Sequence, residues 1–583
     1  MSLKFTYLLA FCLAPIIFSC TESKSSQPNV LFILTDDQGW GDMSSHGNEI
    51  LETPTLDQLA KDGAEFENFY VSPLCAPTRA SLLSGRYHLK TGATSVSNGL
   101  EIMDAEETTL AELFKANGYE TGIFGKWHNG SHYPNRPTDQ GFDEFIGFCA
   151  GHWSNYFDTK LDSGITEIQS KGYITDFLTD KAIDFIERKK DKPFFCYVPF
   201  NAPHSPFQVP DTYFDKYKAK GLDNELASIY GMVENVDDNI KRLLDKLENS
   251  GLAENTLVIF MTDNGPNSHR YNGHMKGVKG KVDEGGVRVP ALFKWPEKIK
   301  EGKKIESIAA HIDLYPTLAE LCHLKSIPGR ALDGQSQASL LLGTSEKAEK
   351  DRELFTHVAF LYKELKDNPG ALRTNQFRFV YKGEQPELYD MILDPSQQKD
   401  IAGENIDLTQ GFYEKYLKWF KESSVNFQPV KPTFVNTEYV ELPTYEAQFS
   451  GNLQYEEGHG WAHDWLKNWT SKTDQMSWLI SSDKPVEMRA YIRYTCPEGQ
   501  TGSTVQLSSQ QNKVTATISN AFDEAPLESP DRVKRKEAYE KNWAEMEIGL
   551  IKIEEGEYPL VLSALDIPNK EVAEVKSLVL RKK

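Results

Sequence analysis

Asn29-Val-Leu-Phe-Ile-Leu-Thr35 runs straight into Asp36-Asp37, and Thr256-Leu-Val-Ile-Phe-Met-Thr262 runs straight into Asp263-Asn264-Gly265. Each run is a continuous series of β-branched, aliphatic and aromatic residues. An alternating strand leaves one face to water, whereas an unbroken apolar run needs cover on both faces, the situation of a parallel sheet. Two further runs have the same build, 121–125 and 193–199. Between 193–199 and 256–262 lies a helical pattern over 225–249, with Val233, Val236, Ile240, Leu243, Leu244 and Leu247 at three- and four-residue spacing and Gly251 as its stop. Strands alternating with helices predict an α/β domain over 29–350, with a doubly wound, mostly parallel sheet.

Outward from this core the pattern changes twice. Residues 373–381 and 387–391 read as antiparallel strands and an aromatic-rich helix follows near 412–420, so 351–425 is expected to form a small α+β subdomain. Beyond Asn426 come Pro429, Pro432 and Pro443, then short alternating stretches such as 487–493, 504–507, 513–519, 547–553 and 577–581. Turn residues separate them, which predicts an appended all-β sandwich over 437–583. Its opening carries Tyr455, Trp461, Trp465, Trp469 and Trp478, which serve either as core or as platforms for sugar rings. Every chemistry-bearing motif precedes Glu387, so the sandwich is not expected to take part in chemistry.

At the other end, Met1-Ser-Leu-Lys4 leads an apolar run over 5–18 and then Ser19-Cys20. The run is too short to span a bilayer and has the build of a signal peptide over 1–19. Ile17-Phe18-Ser19-Cys20 resembles a lipobox, which makes Cys20 the lipidated first residue and 20–28 a polar tether. The chain is therefore expected to be exported and lipid-anchored in a bacterial envelope, on the outer membrane facing the periplasm or at the cell surface. The anchor would be its sole membrane contact. The charge balance, 64 − 85 = −21, argues against nucleic-acid binding, which runs on phosphate neutralisation. The seven cysteines include no CxxC pair, so neither a zinc ribbon nor a disulfide scaffold is expected.

Four of the strands end in polar clusters: Asp36-Asp37, Lys126-Trp127-His128, Asn201-Ala-Pro-His204 and Asp263-Asn264-Gly265. Any one alone is turn chemistry. Together they converge, because an open parallel sheet binds ligands beyond the carboxyl ends of its strands. Asp36, Asp37, Asp263 and Asn264 offer only oxygen donors. Such a set suits a hard divalent cation, Ca²⁺ ahead of Mg²⁺, and not zinc.

Cys75-Ala-Pro-Thr-Arg79, continued by Ala80-Ser-Leu-Leu-Ser-Gly-Arg86, resembles the signature of the formylglycine-dependent type I sulfatases of the alkaline phosphatase superfamily. The resemblance covers residues 29–417. It includes Thr35-Asp36-Asp37, Gly125-Lys126-Trp127-His128, Ala202-Pro203-His204, Asp263-Asn264-Gly265, Glu284-Gly285-Gly286 and Glu387-Leu388-Tyr389-Asp390, in the family's order. It implies that a maturase converts Cys75 to formylglycine (3-oxoalanine), which joins the metal ligands. It also implies that Arg79 steadies the formylglycine and the carboxylates. Lys126 and Lys279 would hold sulfate oxygens, His128 would assist the final elimination, and His204 would protonate the leaving oxygen. Lys279 is singled out from Lys276 and Lys281 because it stands at the family's spacing, five residues before Glu284. The sequence departs from the family at Asn129, where leucine is frequent.

Polar and aromatic residues just past these motifs are candidate substrate contacts: His132, Arg136, His152, Trp153, His269 and Arg270, with His274 beside them. The expected substrate is a sulfated glycan such as ulvan, carrageenan, porphyran or a host glycan. Two alternatives stand: a phosphate or phosphonate monoester hydrolase of the same superfamily, and a catalytically dead glycan-binding lipoprotein. The intact Cys75, Lys126, His128, His204 and Lys279 speak against the second.

Overall fold

The structure, a computed structural model, describes residues 27–345, 352–360 and 364–583. The expected signal peptide, Cys20 and most of the tether lie outside the described residues.

Asn29–Thr35 sits at the centre of a ten-stranded sheet. It pairs in parallel with Phe194–Pro199 on one side and with Thr256–Thr262 on the other. Glu120–Lys126 and Glu144–Phe148 extend the parallel set beyond Phe194–Pro199. Antiparallel strands flank this parallel set on both sides, Ala291–Lys294 against Thr256–Thr262 and Lys160–Ser163 against Glu144–Phe148. All residues of the two seven-residue runs are buried, and the period of two decides where each goes. Val30, Phe32, Leu34, Leu257, Ile259 and Met261 enter one core with Leu82, Leu83 and Phe114 from helices on that face. Leu31, Ile33, Val258 and Phe260 enter the other with Leu178, Phe185, Val236, Ile240 and Leu243. Helices therefore cover both faces, the doubly wound arrangement expected from the runs. The helix Asn224–Asn249 starts on Asp223, whose side chain accepts from Leu226 N at 2.8 Å.

The next unit is a four-stranded antiparallel sheet with the helix Ile406–Ser423 against it. The expected single strand over 373–381 is corrected here. Gly370–Arg373 and Phe377–Tyr381 are two strands of a hairpin. Thr374 N donates to Phe377 O at 2.8 Å, and Phe377 N to Thr374 Oγ1 at 2.9 Å, so polar residues inside an apolar stretch make a turn.

The C-terminal unit is two antiparallel-dominated sheets of six strands each around one core. Val486–Thr495 alternates buried and exposed positions, as a half-buried strand requires. Trp465, Trp469 and Trp478 are core residues, which removes them as sugar platforms. Tyr455 and Trp461 are half-buried. The sandwich is docked on the α/β domain: Ser97 Oγ donates to Gly460 O at 2.7 Å, Arg535 Nη1 to Ser154 O at 2.8 Å, and Gln208 Nε2 to Asp531 Oδ1 at 2.7 Å. No helix among the described residues is long and apolar enough to cross a membrane.

Candidate active site

Cys75 opens a buried helix, Cys75–Ser84, that ends on Gly85 in the left-handed region at φ 70°. Opening the helix puts the side chain beside the partial positive charge of the helix start. Burial pushes the Cys75 thiol up, against the pull of Lys126 and Lys279. Arg79 lies one turn further along. Its Nη2 and Nε reach Asp263 Oδ2 at 2.8 and 3.1 Å, and its Nη1 donates to Lys126 O at 2.8 Å. A guanidinium buried this completely persists because it is so fully paired.

The parallel strands deliver the rest. Asp36 follows the central strand and Asp263 follows its neighbour, with Asp37 N donating to Asp263 Oδ1 at 3.2 Å. Lys126 ends Glu120–Lys126, with Nζ 2.5 Å from Asp36 Oδ2. The strand end comes this close because position 125 is glycine: a Cβ there would stand 2.0 Å from Pro199 O. Lys279 Nζ lies 2.6 Å from Asp37 Oδ1, which also accepts from Asn264 Nδ2 at 2.8 Å. Lys276 instead pairs with Glu387 at 3.0 Å, and Lys281 is exposed. Of the three crowded lysines, Lys279 alone reaches the acidic cluster.

His204 Nε2 lies 3.6 Å from Asp37 Oδ2, while its Nδ1 is 2.7 Å from Ser205 O. Burial and then Lys279 hold its pKa down, against Asp37 and Asp36. His128 Nε2 is 2.9 Å from Val96 O, an acceptor, so this nitrogen carries the proton and Nδ1 has the lone pair. That Nδ1 is buried with no protein partner. Burial, Lys126 and Arg79 keep the ring well below the ordinary histidine range.

The donor set fits a hard cation. Asp36, Cys75 and Asp263 place ligand atoms within 4.8 Å of one another, as do Asp36, Asp37 and His204. Asp36 Oδ1 and Asn264 Oδ1 are buried acceptors with no donor, a cost that an oxygen-seeking ion would remove. Burial and the neighbouring Asp36 push the Asp263 carboxyl up to about 7. Such crowding of acids is relieved by a divalent charge.

A cavity of about 460 Å³ opens on Cys75, Asp37, His128, His204 and Lys279. Of the expected substrate contacts, His152 lies on its wall, with its ring stacked 6.3 Å from that of His204. The structure does not bring the others there. His132, Arg136 and Trp153 line a separate cavity between the α/β domain and the sandwich, where His132 pairs with Glu446 at 3.0 Å. Arg270 is spent on Asp42 at 2.7 Å and on Asp37 O at 2.8 Å, so it braces the acidic loop. His269 and His274 are exposed and lie off the wall. Sequence reasoning missed a whole side of the cavity. Trp461, Lys534, Arg535, Lys536 and Glu537, all from the sandwich, line it. Only the aromatic cluster hinted at Trp461; the others sit on a connecting segment without periodicity.

Fold and site together define an α/β protein whose buried cysteine, carboxylates, lysines and histidines gather at the carboxyl ends of a parallel sheet. A sulfatase profile matches residues 28–324, and the chain belongs to the sulfatase family, a family of sulfuric ester hydrolases. A second profile, the C-terminal part of N-sulphoglucosamine sulphohydrolase, matches 279–417. The N-acetylgalactosamine-6-sulfatase of Mus musculus is 34% identical over 367 residues, 56% of this chain and 68% of that protein. The uncharacterized sulfatase YdeN of Escherichia coli strain K12 is 30% identical over 379 residues, 55% of this chain and 67% of that protein. The chain thus spans about two-thirds of the length of these relatives. Among solved structures, that of Ps i-CgsB in complex with k-i-k-neocarrahexaose superposes with a TM-score of 0.65 at 30% identity, covering 69% of this chain and 95% of that one. The phosphonate monoester hydrolase of Agrobacterium radiobacter shares the fold, with a TM-score of 0.54 at 22% identity.

Proposed function

We propose that the protein hydrolyses sulfate esters of a sulfated poly- or oligosaccharide, using a formylglycine hydrate derived from Cys75 and a bound Ca²⁺, in bacterial polysaccharide degradation. The observation that carries this reading is a cavity lined by Cys75, Asp37, His128, His204 and Lys279, with Asp36, Asp263 and Lys126 clustered directly against Cys75 and Asp37. Asp36, Asp37, Asp263 and Asn264 would hold the cation, which supplies polarisation of sulfate oxygens and a lowered hydroxyl pKa.

An unmodified thiol fits the task poorly, because burial holds it protonated and a sulfated sulfur has no internal exit. The hydrated aldehyde has two hydroxyls. One attacks sulfur and displaces the alcohol; the other then loses its proton and expels sulfate, restoring the aldehyde. Lys126 and Lys279 hold oxygens that gain charge as the sulfur–oxygen bond breaks. His204, pinned through Nδ1 to Ser205 O, turns Nε2 to the cavity and in its protonated form delivers the proton to the leaving oxygen. His128, neutral and with a free Nδ1 lone pair, is suited to take the second hydroxyl's proton. The reported complex of Ps i-CgsB with a neocarrahexaose supports a glycan substrate. Export with a lipid anchor at Cys20, and a maturase acting on Cys75, complete the proposal.

The test is a matched comparison of 4-nitrophenyl sulfate with 4-nitrophenyl phosphate, alongside the mass of the Cys75 peptide. Sulfatase action requires faster sulfate turnover and a peptide about 18 Da lighter than the thiol form. Faster phosphate turnover would move the protein to the phosphate and phosphonate hydrolases. Full conversion with no turnover of either would leave the glycan-binding reading.

A further inference from the structure

The wall of the cavity that faces away from the parallel sheet is made by the sandwich, and its composition is unlike that of the catalytic side. Trp461 is half-buried, and its ring stacks on His459 at 4.6 Å and 20°. Two contacts keep its loop in place. Ser97 Oγ donates to Gly460 O at 2.7 Å, and Gly460, at φ +64°, lies so close to Tyr455 that a Cβ would meet that ring at 2.3 Å. The aromatic surface is thus presented by a fixed loop.

Beside it, the segment 531–537 divides its cations between two tasks. Arg535 is buried and held by Asp531 at 2.6 Å, and Arg532 is held by Asp211. Lys534 and Lys536 are exposed on the cavity wall, and among the described residues no acid stands within ion-pair distance of either. Glu537, the acid nearest in sequence, is engaged by Ser205 and by the backbone N of Lys536. Glu225 and Asp37 are the other carboxylates that line the cavity, and Asp37 is paired with Lys279. Glu457 lies within electrostatic reach of Lys534 without forming an ion pair with it. In a chain of net charge −21, two ammonium groups without an ion-pair partner beside the cavity make a local anion trap. The reacting sulfate is assigned above to Lys126 and Lys279, which are paired with Asp36 and Asp37, so Lys534 and Lys536 are left for another group.

Resting on the sulfatase reading above, we infer that the sandwich builds a second substrate subsite: Trp461 receives the face of a sugar ring, and Lys534 with Lys536 receive a further anionic substituent, a sulfate ester or a carboxylate, on the neighbouring residue. The substrate class is then a polyanionic oligosaccharide with at least two charged groups, not a lone monosulfated sugar. Aromatic stacking and charge pairing at a partly desolvated wall act on binding, so their effect falls on KM.

The test compares the fully converted enzyme on four substrates: 4-nitrophenyl sulfate, a monosulfated disaccharide, and the same disaccharide carrying either a second sulfate or a uronate carboxylate on the adjacent sugar. Wild type is expected to favour one or both dianionic sugars by about tenfold in kcat/KM. The double substitution Lys534→Ala and Lys536→Ala should reduce that preference to below about threefold, while 4-nitrophenyl sulfate turnover stays within about twofold of wild type. Trp461→Ala should raise KM for the sugars without changing the aryl sulfate. Which dianion is preferred identifies the substituent. Aryl sulfate turnover without any preference for a second charge, or a preference that survives loss of both lysines, overturns the subsite. Absence of all sulfate turnover would instead defeat the sulfatase reading, and this inference with it.

Discussion

Ser205 Oγ donates a hydrogen bond to Glu537, so the residue next to His204 is tied to the C-terminal sandwich across 332 positions of sequence. His204 Nδ1 in turn rests 2.7 Å from Ser205 O. Glu537 is therefore a positioning residue: it orients the loop that aims Nε2 into the cavity. If His204 protonates the leaving oxygen, Glu537→Ala should slow esters of weakly acidic alcohols by about tenfold and leave esters of acidic phenols nearly unchanged. A leaving-group series read as a Brønsted slope checks this. Equal slowing across the series would mean a purely structural role.

The same contacts predict the outcome of truncation. A chain ending at residue 426 lacks Glu537, the anchor of the His204 loop. Turnover of even a small aryl sulfate should fall by about tenfold or more, since misplacement by an ångström is enough to cost that much. Kinetics of a truncated chain shown by circular dichroism to be folded decides it. Unchanged aryl sulfate turnover would return the sandwich to a dispensable module.

Lys279 and Lys276 offer a matched pair. Lys279 lies 2.6 Å from Asp37, whereas Lys276 lies 3.0 Å from Glu387, away from the acidic cluster. Lys279→Ala should lower kcat by about 10²–10³, the usual effect of removing one charge-stabilising group. Lys276→Ala should change kcat by less than about threefold. Comparable losses in both would show that the spacing to Glu284 had picked the wrong lysine.

Much of this was legible in the sequence because its signals were local. Seven-residue apolar runs are read directly as strands covered on both sides, and the residues after them must then share one sheet edge. That is how Asp36 and Asp263, 227 positions apart, could be joined without a structure. The hairpin at Thr374 was missed because a short polar turn inside an apolar stretch resembles one long strand. Of the expected substrate contacts, those other than His152 lie off the cavity for a different reason. Arg136 and Trp153 follow catalytic motifs in sequence, but the chain turns them into the cleft under the sandwich. Lys534 and Lys536 lie on an irregular segment whose place depends on how two domains dock, and no periodicity encodes docking.

Metal removal should be visible apart from activity. Asp36 Oδ1 and Asn264 Oδ1 are buried acceptors without donors, so a cation bound there stabilises the fold by mass action, about 2.7 kcal/mol at a hundredfold excess over Kd. Chelation should lower Tm, and Ca²⁺ should restore it better than Zn²⁺, because every side-chain donor is a hard oxygen. Asp263→Ala should abolish the Ca²⁺-dependent part of the shift. A Tm indifferent to chelator and to Ca²⁺ would reject the ligand set.

A buried carboxyl group near the domain boundary makes stability depend on pH. Glu101 is buried, its Oε2 has no protein partner, and burial together with the nearby Glu446 raises its pKa to about 7. Backbone hydrogen bonds at Glu101 and Gly99, and then Lys431, oppose this without cancelling it, and His132 is engaged by Glu446 from the other side. In the unfolded chain a glutamate releases its proton near pH 4.5. Between these values the folded protein holds a proton that the unfolded chain has lost, so stability falls as pH rises from about 4.5 to 7 and then levels off. Glu101→Gln keeps the shape and removes the titration. At pH 8 the variant should exceed wild type by about 2–3 kcal/mol, and at pH 4.5 the two should agree within about 0.5 kcal/mol. Denaturant unfolding of both proteins across this range is the measurement. A difference that does not change with pH would show that Glu101 is ionised in the fold, with a partner other than those named.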